Sequence, residues 1–273
     1  MVLLQQRILG IWRLIRVKKW DINIIMNILL TGAEGFIGKN LFKFLQDRAH
    51  NIIPIDRNTG NNLLSCNLKY DVDCVIHLAG LSGVRDSFER PTDYWKQNVI
   101  ASQRVFDHFK DTKILYASSS TAYEPWRNPY AMSKYSMEQI APGQSIGMRF
   151  TTVYGPGARE GMLIPRILRN DVPYVNTNHW RDFIHVDDVC SAIQNLITQN
   201  ERILPFGDVI EIGTGLSHKL TDIMDYFSID TKKQVADERE RLDNKADTYF
   251  LNSIGWIPRV QLKDYITKYR RTN

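Results

Sequence analysis

The chain has 273 residues, 43% apolar and 24% charged, which excludes disordered and fibrous classes and allows a substantial core in one domain or two small ones. Residues 1–25 set Arg7, Arg13, Arg16, Lys18 and Lys19 against Asp21, so they hold +4 of the net +5 and leave a balanced body with no electrostatic case for a nucleic-acid partner. No apolar run reaches the roughly 20 residues that span a bilayer, and Cys66, Cys74 and Cys190 show neither metal-ligand spacing nor a disulfide framework, so free thiols in a reducing, cytoplasmic compartment are expected.

In residues 1–25, Leu3, Leu4, Ile8, Ile11, Trp12 and Ile15 fall near helical spacing among arginines. Two readings stand: a basic amphipathic helix lying on a membrane or a partner, and an extension upstream of Met26, where the regular pattern starts. The second is preferred. From Met26 onward strands alternate with helices. Residues 27–30, 51–55, 74–78, 113–117 and 144–150 read as short strands, the apolar runs of a sheet buried on both faces. Residues 35–48 and 94–109 read as helices between them. This alternation predicts an α/β fold built on a doubly wound parallel (Rossmann) sheet. After about residue 155 the regularity loosens into helices at 163–170, 186–198 and 220–227 and a strand at 208–212, read as a smaller C-terminal lobe.

Residues 31–38 follow the first strand and open the first helix. Gly32 suits the tight turn, Gly35 a close backbone approach to a pyrophosphate, and Gly38 close packing of helix on sheet. The helix N-terminus then offers free N–H groups to phosphates. Asp56 ends the second strand, eighteen residues past Gly38, where a carboxylate accepts both adenosine ribose hydroxyls and repels a 2′-phosphate. NAD is therefore favoured over NADP, although Arg57 next to it leaves that choice open. The division that follows is a leader at 1–25, an NAD-binding core at 26–155, and a mainly substrate-binding lobe at 156–273 with segments returning to the core.

Tyr130 and Lys134 stand four residues apart, on one face of a helix. A phenol titrating near 10 is a poor base, but a neighbouring ammonium favours its phenolate. Such a tyrosine takes the proton of a substrate hydroxyl as hydride leaves the same carbon. Ser118, Ser119 and Ser120 lie at the end of the preceding strand, the edge of the sheet where ligands bind.

From Met26 to about residue 268 the chain resembles the extended short-chain dehydrogenase/reductases, in particular the nucleotide-sugar epimerases and dehydratases. The resemblance rests on motifs in order: residues 31–38; His77 to Gly80; Asn98 between Gln97 and Val99; 118–123; 130–134; Arg149 and Phe150 with 153–156; 181–188; and 254–258. It implies that Ser119 is the catalytic hydroxyl beside Tyr130 and Lys134. It places Phe36, Ile37, Leu78, Ala79, Gly80 and Asn98 along the cofactor, with Asn67 replacing the usual aspartate near the adenine. Arg181 matches a residue that contacts the nucleotide diphosphate, and Arg241 is a second candidate. His185, Asp187 and Asp188 are expected to cap a helix and fix a loop; His77 is expected to pack at a strand end.

Dehydratase relatives carry an acidic pair after the catalytic hydroxyl, where this chain has Ser120 and Thr121. Decarboxylating relatives carry a glutamate there, and reductive fucose-forming relatives a cysteine at the position of Thr121. The remaining pattern is that of a UDP-sugar 4-epimerase acting on UDP-glucuronate, UDP-glucose or UDP-N-acetylglucosamine through a 4-keto sugar. A 4-keto-sugar reductase or dehydratase of the same family is the alternative, and a non-catalytic NAD-binding protein is the alternative of another class. The loops at 80–87 and 154–162 resemble those of UDP-glucuronate 4-epimerases, placing Ser82, Arg85, Ser120 and Arg159 near the sugar or diphosphate; solvent-facing arginines are the equal alternative. No metal site is expected. Only six residues separate Tyr123 from Tyr130, and Pro142 and Gly143 soon break the following helix, which relatives use at greater length to form homodimers.

Overall fold

The computed structural model describes residues 25–270 of the chain. The helix considered for residues 1–25 therefore lies outside the described residues, Ile25 apart. The first half runs β1 (Asn27–Thr31), α1 (Phe36–Gln46), β2 (Asn51–Ile55), β3 (Cys74–His77), α2 (Val84–Glu89), α3 (Pro91–Trp95), α4 (Ala101–His108), β4 (Lys113–Ser119), α5 (Pro129–Gln139) and β5 (Ser145–Phe150). The second half runs β6 (Thr152–Tyr154), α6 (Leu163–Leu168), β7 (Tyr174–Asn176), β8 (Trp180–His185), α7 (Val186–Thr198), β9 (Val209–Ile212), β10 (Ser217–Lys219), α8 (Leu220–Tyr226), β11 (Lys232–Gln234), α9 (Tyr249–Ser253) and α10 (Leu262–Tyr269).

Six strands form one parallel sheet in the order β2-β1-β3-β4-β5-β9. The chain moves outward from β1 to β2, then crosses back to β3 on the other side of β1. Such a reversal opens a crevice at the carboxyl ends of the strands. Side-chain alternation explains why these strands are buried twice over. Ile28 and Leu30 of β1 face a core with Leu41, Leu45 and α7, while Leu29 faces another with Val105 and Phe106 of α4. A third core, around Tyr154, Ile167, Phe183, Ile223 and Ile266, lies under the C-terminal elements.

The expected strands are present, with ends moved by one or two residues. β4 runs to Ser119 because it stays paired with β5 as far as Phe150. The single helix expected at 94–109 is instead α3, a wider π turn at Lys96–Ile100, and α4. Asn98 sits in that turn, and its amide spans Leu81 N–H and C=O and the Ser133 hydroxyl. The sequence pattern misses the small sheets β10-β8-β6 and β11-β7, whose strands are mostly three residues long and too short to show a period.

Candidate active site

The glycine turn, Asp56, residues 78–80 and Ser118 to Ser120 all stand at the carboxyl ends of strands of the large sheet. After β1, Gly32 turns with φ +72°, and a Cβ there would lie 2.6 Å from Ala79 N. At Gly38 a Cβ would collide with the Gly32 carbonyl. α1 therefore starts tight against the turn, with Gly35 at its N-cap and no side chain capping its first N–H groups. Such a cradle of backbone donors, closed to any Cβ, fits a dinucleotide pyrophosphate.

A small cavity of about 180 Å³ lies on one side of the turn, lined by Gly32, Gly35, Asp56, Arg57, Leu78, Ala79 and Gly80. The Asp56 carboxylate accepts from Glu34 N (3.1 Å) and Asn58 N (2.9 Å). A larger cavity of about 610 Å³ meets it at Gly32, Gly35, Leu78 and Gly80 and continues past Phe36, Ile37 and Gly38 to Ser82, Ser119, Ser120, Tyr130, Lys134, Arg159, Arg181 and Arg241. Three expected contacts lie elsewhere. Asn67 is exposed and caps Lys69 N (3.0 Å), while Asn61, Asn62 and Leu63 line the wall instead. Asn98 is buried and shapes the 80–83 loop from behind, through Leu81. Arg85 is mostly exposed, outside the large cavity, 3.9 Å from Glu240.

At the centre of the large cavity, Tyr130 is hydrogen-bonded to Ser119. The Ser119 hydroxyl oxygen also accepts from Thr121 N (3.2 Å) and Thr121 Oγ1 (2.9 Å). Asn128 caps α5 by accepting from Ala131 N at 2.7 Å, and this fixes the turn that carries Tyr130. Lys134 Nζ donates to the Ala117 carbonyl (2.7 Å), and burial brings its ammonium down to about 8. Burial pushes the Tyr130 phenol up, against the Ser119 hydrogen bond and the Arg159 charge. The Arg159 charge favours the phenolate, and the Lys134 ammonium, one turn along α5, lines the same cavity.

The wall opposite the glycine turn is a strap at 236–246 that sequence reading missed apart from Arg241. Arg241 Nη1 donates to Ser120 O (2.9 Å), and Arg181 donates to Leu242 O (2.9 Å) and to Glu240 (3.3 Å). Arg181 Nη2 also donates to His179 Nδ1 at 3.0 Å. Asp182, wholly buried, accepts from Ala246 N at the end of the strap and from Thr214 N and Oγ1 and Gly215 N of the loop after β9, which ties the two together. Glu240 and Asn244 gave no local signal, because their place is set by partners far away in the chain. His185 caps α7, accepting from Asp187 N, and Asp188 accepts from Arg259 N and Val260 N. His77 bonds Thr31 and Ser102, and burial holds it near 3, as a neutral packing group.

The model of the NAD dependent epimerase/dehydratase family matches residues 28–213, from β1 through β9. The chain belongs to the NAD-dependent epimerase/dehydratase family. NAD is that family's cofactor, and the glycine cradle and Asp56 fit it. This family member is 30% identical to Protein CapI of Staphylococcus aureus over 63% of the chain and 69% of the relative. It is 27% identical to a putative UDP-glucose 4-epimerase of Methanocaldococcus jannaschii, over 88% of the chain and 96% of the relative. Among solved structures, MoeE5 in complex with UDP-glucose and NAD is 27% identical with a TM-score of 0.79, covering 89% of the chain and 97% of MoeE5. No described helix of this family member is long and apolar enough to cross a membrane.

Proposed function

We propose that the chain is a UDP-sugar 4-epimerase, with UDP-glucuronate as its first candidate substrate. The observation that carries this reading is the acid–base inventory of the large cavity. Among the described residues lining it, Glu240 is the one carboxylate, and it is engaged by Arg181. Ser120 and Thr121 stand where an eliminating enzyme needs an acidic pair. Proton transfer to and from one hydroxyl, by Tyr130 and Ser119, is the chemistry that remains.

Ser119 would hold the sugar O4 through its hydroxyl, whose own orientation is set by Thr121. Tyr130 would remove the O4 proton and later return it. Bound NAD supplies the acceptor for the C4 hydride and then its donor, so the net redox change is zero. A pocket of about 610 Å³ gives a keto sugar room to present its other face. Lys134, Arg159, Arg181 and Arg241 against Glu240 make the cavity positive, which suits a diphosphate. Arg159 acts on the Tyr130 phenol and so stands close to the reacting end. A carboxylate on the sugar would pair with it, and this favours the uronate over neutral hexoses.

Proton NMR of UDP-glucuronate, UDP-glucose and UDP-N-acetylglucosamine with enzyme and NAD tests the reading. UDP-glucuronate is expected to interconvert with its 4-epimer without added reductant. No interconversion of any pair refutes the proposal, and stoichiometric NADH loss with a 4-keto sugar replaces it with a reductase.

A further inference from the structure

Behind the candidate centre lies an ion pair that the proposed chemistry does not use. Glu138 follows Lys134 by one turn of α5, and its side chain is only 2% exposed. It accepts from Arg149 Nε (2.8 Å) and Nη2 (2.6 Å), and from the Ser118 hydroxyl. Arg149 belongs to β5, and its guanidinium rests 4.0 Å from the centre of the Tyr123 ring. Ser118 belongs to β4, between Ala117, whose carbonyl holds Lys134, and Ser119. One carboxylate thus ties together α5, β4 and β5 directly beside the reacting groups.

Stability is a weak reason for such a pair. The desolvation of two buried charges offsets most of their attraction, and apolar groups of the same volume fill such a place as well. What the pair supplies is placement and a fixed negative charge. We propose that Glu138 is a positioning residue for the Ser119, Tyr130 and Lys134 centre. It holds the end of β4 through Ser118 and keeps a carboxylate one turn from the Lys134 ammonium. The proposal rests on the reading that this centre moves the O4 proton.

Lys134 lines the cavity with Tyr130 and interacts with Glu138 on its own helix and with His77 from β3; Glu138 faces Arg149 and Tyr116 from the sheet. His77 is held neutral, so Glu138 is the carboxylate that supports the Lys134 charge, working against the burial that brings it to about 8. Removing that carboxylate lowers Lys134 further, and the ammonium is then lost at a lower pH.

The test is E138Q, measured as the NAD-loaded enzyme with the nucleotide sugar. Its kcat is expected to fall about tenfold, the effect of losing one hydrogen bond to a charged group, with KM near wild type. The alkaline limb of kcat is expected to move to lower pH. Tyrosinate absorption, assigned to Tyr130 by subtracting Y130F, is expected to titrate at higher pH. A purely structural role moves neither the limb nor the titration. Folded E138Q with both unchanged overturns the proposal. If E138Q does not fold, S118A keeps the ion pair and cuts only the tie to β4. Its kcat is expected to fall about threefold with the alkaline limb in place, and wild-type kcat in S118A overturns the positioning role. If the wild type turns over no nucleotide sugar, the epimerase reading fails by itself. The Tyr130 titration in E138Q then still decides the role of Glu138.

Discussion

Gly32→Ala measures how tightly the dinucleotide cradle is built. Gly32 sits at φ +72°, and the added Cβ would lie 2.6 Å from Ala79 N and 2.8 Å from Ala79 Cα. Both obstacles are backbone of the segment after β3, so no flexible side chain can swing away. The left-handed conformation alone costs an alanine about 1–2 kcal/mol, and forcing a methyl into packed backbone costs about 1–3 kcal/mol more. G32A should thus lose about 2–5 kcal/mol, a sizeable part of an ordinary domain's stability. Gly60→Ala provides the control, because Gly60 has φ +86° but nothing within 4 Å of a Cβ. It should lose only the conformational part, about 1–2 kcal/mol. Urea unfolding of the two variants and the wild type, followed by circular dichroism, gives both differences. Because the methyl also displaces the 78–80 segment, NAD affinity of G32A should fall by about tenfold in calorimetric titration, which is about 1.4 kcal/mol. If G32A loses no more stability than G60A, the close approach of the turn to Ala79 is not a constraint and the cradle reasoning is wrong.

Tyr130→Phe should lower kcat by at least about 100-fold while NAD affinity stays near wild type, as single-turnover kinetics and titration would show. Arg159→Gln should raise KM for UDP-glucuronate about tenfold relative to UDP-glucose, the loss of one charged hydrogen bond; equal changes for both sugars would refute a carboxylate contact. Asp56→Asn should reduce the ratio of NADP to NAD dissociation constants, measured by fluorescence titration, because the repulsion of a 2′-phosphate is removed. His77 and His179 are held near 3 and near 4 by burial, below their ordinary 6.5. With folded values depressed, their contribution is complete above about pH 6.5 and is lost as pH falls toward 4, at about 1.4 kcal/mol per pH unit for each histidine. Unfolding free energies at pH 7, 6 and 5 check this, and H179N should flatten the slope.

Legibility in the sequence followed the range of the interactions. The glycine turn, β1 to β4 and the spacing of Tyr130 and Lys134 depend on neighbours within a turn or a strand, so their pattern can be read locally. Asn67 was expected beside the adenine, but its stretch forms turns and its side chain is used by Lys69 N. Asn98 carries the right residue type with a different task, since its amide is consumed by Leu81 and Ser133. Arg85 read as a substrate contact because its loop is similar to that of relatives, yet it pairs with Glu240 from outside the cavity. The strap escaped, Arg241 apart. Arg127 and Asn128 donate to the carbonyls of Glu238 and Arg239, and Arg241 donates to Ser120 O, each across more than a hundred residues. No local period or motif encodes a segment held in that way.

The anchor at Asp182 bears on how such a pocket can change over time. Its carboxylate grips the backbone amides of Thr214, Gly215 and Ala246, and besides them one hydroxyl of Thr214. Backbone amides are present whatever the residue, so the hold at Ala246, the end of the strap, is indifferent to its side chain. Glu240 and Arg241, by contrast, hold the strap through their own side chains, to Arg181 and to Ser120 O. Point changes at 240 and 241 thus alter the cavity wall and the seating of the strap together, while Asp182 keeps the far end in place.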